Sequence, residues 1–312
     1  MTNNFLKYTI FFTIGVVILF YLFSNIGFTR VYNLLSQIKI GYFFLAGFFY
    51  FIAEIIAAIA IKIALKGKMR LKEVFLSHLA GMLVSGVTPG RVGYYYTALS
   101  LSKKSQNSAF GNAGVLTLIQ GMNFLGKVIL CLFSLVYFSS FIIDLRFYSW
   151  LTLVSIFPVI FIVGIILVLY TDFLNKILAK FKIFHKAVQY IEAMQKSSKE
   201  IEKKRMLKIV LLGFIGWPVA SMQWFFIGTS LGLEIPFVNA LMLQPLVTTL
   251  MFIPLAPAGL GFAEGGSVLL FKIVGYTTAA GAVFLILVRL NCILVDSLGL
   301  MDVKNFSQKL SL

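Results

Sequence analysis

Residues 40–61 carry a single charged side chain, Glu54, and are otherwise almost entirely apolar or small. A run of that length matches the roughly 20 residues an α-helix needs to cross the hydrocarbon of a bilayer. A chain with several such runs has few options, because lipid offers no water to its peptide groups and each span must satisfy its own hydrogen bonds as a helix. Further apolar segments fall at about 5–23, 74–101, 108–140, 147–170, 208–231, 236–274 and 277–299. They account for a composition of 60% hydrophobic and 12% charged residues with a mean hydropathy of +0.95, where a soluble domain has about 45–50% apolar and 25% charged. The predicted fold class is all-α, a polytopic membrane protein, and water-soluble enzymes and disulfide scaffolds are excluded. The segment 5–23 is longer than a typical signal-peptide core and lacks a small-residue cleavage site, so it is expected to be a retained helix. Cys131 and Cys292 lie inside apolar segments and act as small hydrophobes. Two histidines, His78 and His185, cannot build a His-rich site, and no metal or cofactor is expected.

The charge balance is 27 Lys and Arg against 11 Asp and Glu, a net +16. Most of the cations sit in short loops beside apolar segments, the pattern of cytoplasmic retention. Anionic lipid headgroups come second as an explanation, and nucleic acid is not expected as a partner. The basic loop with Lys62, Lys66, Lys68, Arg70 and Lys72, and the polar run from Lys176 to Lys208, should both be cytoplasmic. Three apolar segments lie between them, but two cytoplasmic ends require an even number of crossings. The odd one is 74–101, which VTPGRVG interrupts, and Pro and Gly do not suit a continuous helix. The same count makes 236–274, interrupted by PLAPAGLGFAEGG, re-entrant from the other side. About six spans plus two re-entrant helical hairpins result, in the cell membrane with both termini cytoplasmic. Two full spans or one kinked span per broken segment is the alternative.

TPGRVGYYY from Thr88 and APAGLGFAE from Ala256 align at an offset of 168. The same offset carries 40–61 onto the segment at 208–231 and 108–130 onto the last one. Agreement of three elements at one spacing predicts an internal repeat: repeat 1 at about 40–138, an amphipathic cytoplasmic linker at about 172–207, and repeat 2 at about 208–300. The topology makes the repeats inverted, the construction of many transporters, with the substrate at the repeat interface.

An ionisable group inside a span is costly and therefore a functional candidate. Arg91 follows Pro89 and Gly90 at the first break and precedes Gly93. A guidanium there is suited to bidentate phosphate binding, helped by amides that the broken backbone frees; the alternative is an Arg reaching the interface. Glu264 follows the second break, where Pro257, Gly259 and Gly261 let backbones approach. Arg289 lies mid-helix in the last span and needs a partner, for which Glu264 is the nearest plausible residue; the pair serves as an ion pair or as a gate that an anionic headgroup opens. Glu54 is a further gating or ion-pair candidate. Gln120, Asn123 and Lys127 form one polar face at helical spacing and, with Arg91, Arg289 and Glu264, are candidate substrate-binding residues; the alternative is that such a stripe only binds helices together. Asn291 lies near Arg289, and His78 is expected to be a hydrogen-bonded wall residue. No nucleotide-binding loop, zinc-protease helix or soluble catalytic segment is present.

At TPGRVG, and at PLAPAGLGFAE followed by Arg289, the sequence resembles the flippase-like transmembrane family that includes the membrane half of lysylphosphatidylglycerol synthase, the multiple peptide resistance factor. The resemblance covers about 40–300. It implies movement of lipids with anionic or glycosylated headgroups between leaflets. In two places the sequence departs from the family pattern: Tyr94 stands where Glu usually follows the first-half Gly, and Gln120-Gly121 where Glu-Arg is usual. At the 168 offset Gly121 is the counterpart of Arg289, so the first half lacks the base that the second keeps. The aminoacyl-transferase domain of the larger synthase is absent from this sequence.

The expected function is a lipid translocase, not an enzyme, that takes an anionic phospholipid or a polyisoprenyl-phosphate-linked lipid by its headgroup, with homodimerisation left open. The alternatives are a membrane-embedded glycosyl or group transferase, or its non-catalytic subunit, and a cation carrier using Glu54 and Glu264.

Overall fold

A computed structural model of the 312-residue chain describes residues 13, 17, 20–22, 24–65, 69–88, 90–102, 105, 107–139, 159–160, 163–180, 185–251 and 258–308. Among these the secondary structure is helical, with no strand. The helices are α1 (Phe28–Ser36), α2 (Ile40–Ala64), α3 (Leu71–Gly86), α4 (Tyr96–Ser102) after a 3-10 turn at Val92–Tyr95, α5 (Ala109–Ser139), α6 (Phe173–Leu178) and α7 (His185–Lys199). There follow α8 (Lys203–Ser230), α9 (Phe237–Leu250), α10 (Phe262–Ile273), α11 (Thr278–Asp296) and, after a 3-10 turn at Ser297–Gly299, α12 (Leu300–Gln308).

Among the described residues, four helical stretches are long and apolar enough to cross a bilayer: α2, α5, α8 and the run Thr278–Lys304 that α11 begins. The expected spans at 5–23 and 147–170 lie largely outside the described residues. Two boundaries differ from expectation. The helix expected at 208–231 starts at Lys203, because Lys and Arg are good helix formers and carry helix into the basic loop. Residues 28–36, which fall between the apolar segments 5–23 and 40–61, form α1, whose Val31 and Leu34 pack with Ile26 against Ala279 and Ala282 of α11. Nine residues are too few to register as a span, which is why hydropathy passes over it.

The two broken segments have the same construction. α3 stops at Gly86, and Gly90 (φ 59°) and Arg91 (φ 58°) turn the chain through left-handed backbone before α4 returns against α3. There Ser77 Oγ lies 2.9 Å from Ser100 Oγ, Thr97 Oγ1 donates to the Ser77 carbonyl at 3.2 Å, and Gly81 leaves room for Thr97. In the second half α9 and α10 flank a break in which Ala258 (φ 45°) and Gly259 (φ 65°) are left-handed. At the offset of 168, Gly90 corresponds to Ala258 and Arg91 to Gly259, so the same two backbone positions turn the chain in both halves. Left-handed backbone at a residue with a Cβ costs about 1–2 kcal/mol, and each half accepts it once, at Arg91 and at Ala258.

Two main clusters of buried apolar side chains form the core. One gathers Ala58, Ile61, Val74, Tyr94, Leu101, Leu116 and Ile209, the other Trp224, Ile227, Leu246, Phe271, Phe284 and Val288. Since lipid is as apolar as these side chains, close packing, interhelical hydrogen bonds and small residues hold the helices together. Gly299 lies so close to the backbone of Leu79 and Ala80 that an added Cβ would stand 2.2 Å from Ala80 N.

Within the linker, α7 lies along the start of α5. Phe110 stacks on Tyr190 at 3.7 Å, and a Cβ on Gly114 would come within 2.4–2.8 Å of the Met194 backbone. Gly114→Val is therefore expected to lift α7 off α5. Trypsin should then cut after Lys196 and Lys199 severalfold faster than in the parent, and an unchanged digestion rate would count against this packing.

Candidate functional site

The breaks meet. The Thr88 carbonyl accepts from Arg91 N at 3.2 Å and from Ala258 N at 3.5 Å, so one oxygen closes the first turn and ties it to the second. Thr88 Oγ1 also accepts from Gly93 N at 2.9 Å. Glycine is required at 93, where a Cβ would stand 2.6 Å from the Val84 carbonyl oxygen, and at 259, where it would stand 2.4 Å from that of Leu250. Pro89 and Pro257 fall outside the described residues.

On the second half, Arg289 Nε donates to Glu264 Oε1 at 2.5 Å and Nη2 donates to the Ala258 carbonyl at 3.0 Å. Glu264 is fully buried, and its Oε2 also accepts from Gly261 N at 2.7 Å. The expected pair thus forms. Its guanidinium also grips the left-handed turn, so the strained Ala258 is fixed through its carbonyl by Arg289 and through its N–H by Thr88. Charge-assisted bonds of this kind are roughly twice as strong as neutral ones.

On the first half Arg91 is half-buried and folds back on α3, donating from Nε to Ser85 Oγ at 3.3 Å and from Nη2 toward Met82 Sδ at 3.7 Å. The Lys127 ammonium lies within electrostatic range of Arg91 and of Glu54. Glu54, on α2, is buried and pairs with His78 Nε2 of α3 at 2.5 Å, while His78 Nδ1 lies 2.9 Å from the Tyr94 hydroxyl. Gln120 reaches that hydroxyl from α5. Tyr50, one turn before Glu54, donates to Asp296 at 3.1 Å.

The polar face of α5 is thus divided. Gln120 and Lys127 serve the first break, whereas Asn123 faces Gly213 of α8. Asn291 donates to the Phe43 carbonyl and accepts from Gln223, both at 2.9 Å, and ties three helices without entering the site. His78 is hydrogen-bonded on both ring nitrogens. The sequence reading missed its pairing with Glu54, and missed Tyr50 and Asp296. The available signal was the i, i+4 spacing of Tyr50 and Glu54, which puts both on one face of α2. The two departures noted from the sequence also have places: Tyr94 is the hydroxyl partner of His78, and Gly121 makes room for Ile165, whose Cδ1 would lie 2.9 Å from a Cβ there.

Helical spans, two broken segments joined tip to tip and a set of buried charges at that junction define a polytopic helical membrane protein with its polar chemistry at the breaks. The chain belongs to the family described as the lysylphosphatidylglycerol synthase TM region, whose model matches residues 5–298. It is similar to a UPF0104 membrane protein of Methanocaldococcus jannaschii, 25% identical over 212 residues that make up 67% of this chain and 87% of that protein. No solved structure matches the chain.

Proposed function

We propose that the protein is a lipid translocase that carries an anionic phospholipid or a polyisoprenyl-phosphate-linked lipid between leaflets. The observation that carries this reading is the place of Arg91 at the junction of the two breaks, where its backbone N–H shares the Thr88 carbonyl with that of Ala258 from the second break. Arg91 supplies the planar fork that suits phosphate, Lys127 a point charge. The acyl or prenyl tail stays in lipid.

The matching breaks at an offset of 168 support inverted repeats with re-entrant hairpins, and rocking of the halves about the Thr88–Ala258 contact would alternate access. Release of Arg289 from Glu264 would let a second guanidinium take the headgroup. A charge of −1 crossing 100 mV is worth about 2.3 kcal/mol, which biases the leaflets roughly fifty-fold. The group-transferase reading draws on one observation, the carboxylate–imidazole pair Glu54–His78, which has the make-up of a general base.

The test is to purify the chain with native lipid and identify what co-purifies by mass spectrometry. Vesicles carrying that lipid in fluorescent form then report inner-leaflet protection from an impermeant quencher. Protein-dependent loss of protection with the lipid mass unchanged supports translocation. Full protection with a stoichiometric bound lipid, or a changed lipid mass, sinks it in favour of the transferase or its subunit.

A further inference from the structure

The two halves close their breaks with different chemistry. The second uses Glu264 with Arg289, a guanidinium that stays charged at any physiological pH. The first uses Glu54 with His78, an imidazole, the side-chain type that changes charge between pH 5 and 8. Both members of the first pair are buried, and the bonds continue from His78 Nδ1 to the Tyr94 hydroxyl, two residues past the Arg91 turn's closing valine.

Resting on the translocase reading, we propose that the Glu54–His78–Tyr94 chain is a proton-binding site that couples headgroup capture at Arg91 to proton uptake, making the protein a proton-coupled lipid carrier. With His78 neutral, Nε2–H donates to the Glu54 carboxylate and Nδ1 accepts from Tyr94 O–H. One proton added at Nδ1 makes both nitrogens donors. Tyr94 must then accept, and its O–H turns to another acceptor, for which the Gln120 side chain is at hand. The charge of the pair rises from −1 to 0 at the same time.

The groups facing this chain are Tyr50 on α2, Arg91 at the break, Lys127 on α5, and Cys292 and Asp296 on α11. Removing one negative charge among them leaves Arg91 and Lys127 less neutralised and strengthens their hold on an anion. The sign follows: lower pH favours loading, higher pH favours release, and proton and headgroup move in the same direction. Tyr50 and Asp296 extend the polar path from Glu54 to the last span.

The experiment uses the full chain in phosphatidylcholine vesicles with fluorescent phosphatidylglycerol, scored by quencher access at matched pH values from 5.5 to 8 and under an imposed pH gradient. The wild type is expected to load faster at low pH, by on the order of tenfold across the range, and the gradient should leave label accumulated in the alkaline-side leaflet. His78→Gln should retain exchange with a profile flat to within about twofold. If that variant does not fold, His78→Asn decides: it too lacks the ring that takes the proton, and it should show the same flat profile and lose the gradient-driven accumulation. Profiles in both variants superimposable on the wild type overturn the coupling and leave translocation standing. A wild type that moves no lipid at any pH overturns the translocase reading and the coupling together.

Discussion

Arg91→Ala is expected to lower protein-dependent exchange of an anionic lipid by at least 100-fold while leaving the protein folded. A charge-assisted bond to phosphate contributes about 1.5–3 kcal/mol, and a guanidinium gives two in parallel at a site with little water to replace them. The protein itself loses less. The contacts of Arg91 to α3, at Ser85 and Met82, are long at 3.3 and 3.7 Å, and alanine relieves little of the backbone strain at φ 58°. Arg91→Lys separates charge from shape: it keeps the cation, loses the fork, and should fall between the two. Lipid co-purification and vesicle exchange are read on the same preparations. A cation carrier would be spared by Arg91→Ala, so lipid exchange at the wild-type rate in this variant would remove the headgroup site from the first break.

Arg289→Ala should have the largest effect on stability. It leaves the fully buried Glu264 with the Gly261 N–H as its remaining partner among the described residues, and it frees the Ala258 carbonyl. Removing one partner of a buried pair costs about 3–5 kcal/mol, a large part of the 5–15 kcal/mol typical of a folded protein. A markedly lower midpoint in detergent thermal unfolding is expected, together with loss of the Thr88–Ala258 junction. Glu264→Gln is the gentler variant, since its one amide oxygen still accepts from Arg289 Nε and only the acceptor for the Gly261 N–H is lost. It should cost less stability and retain slow exchange, whereas an enzyme using Glu264 as its base would be dead. The double change Glu264→Gln with Arg289→Gln removes both charges and should recover most of the stability lost in Arg289→Ala. If Arg289→Ala melts with the wild type, the pair does not hold the break.

The sequence by itself determined the class, the helices and the breaks. Apolar runs of bilayer length leave the backbone no choice but helix, and 40–61 and 108–140 sit within a few residues of α2 and α5 for that reason. Pro and Gly clusters marked both interruptions, and the 168 offset recovered the pairing of left-handed turns at Gly90–Arg91 and Ala258–Gly259, because backbone that only small or strained residues accept leaves a local signature. Glu264 and Arg289 were legible as a pair, since a buried charge mid-span demands an opposite one. Which other polar groups meet was decided only in three dimensions. Glu54 and His78 stand 24 residues apart on different helices, and Tyr50 finds Asp296 across 246 residues. Glu54 is legible as a charge inside an apolar run, but nothing local names the partner of any of these residues, because a helix in lipid satisfies its backbone wherever it sits and leaves its side-chain partners to the packing of its neighbours.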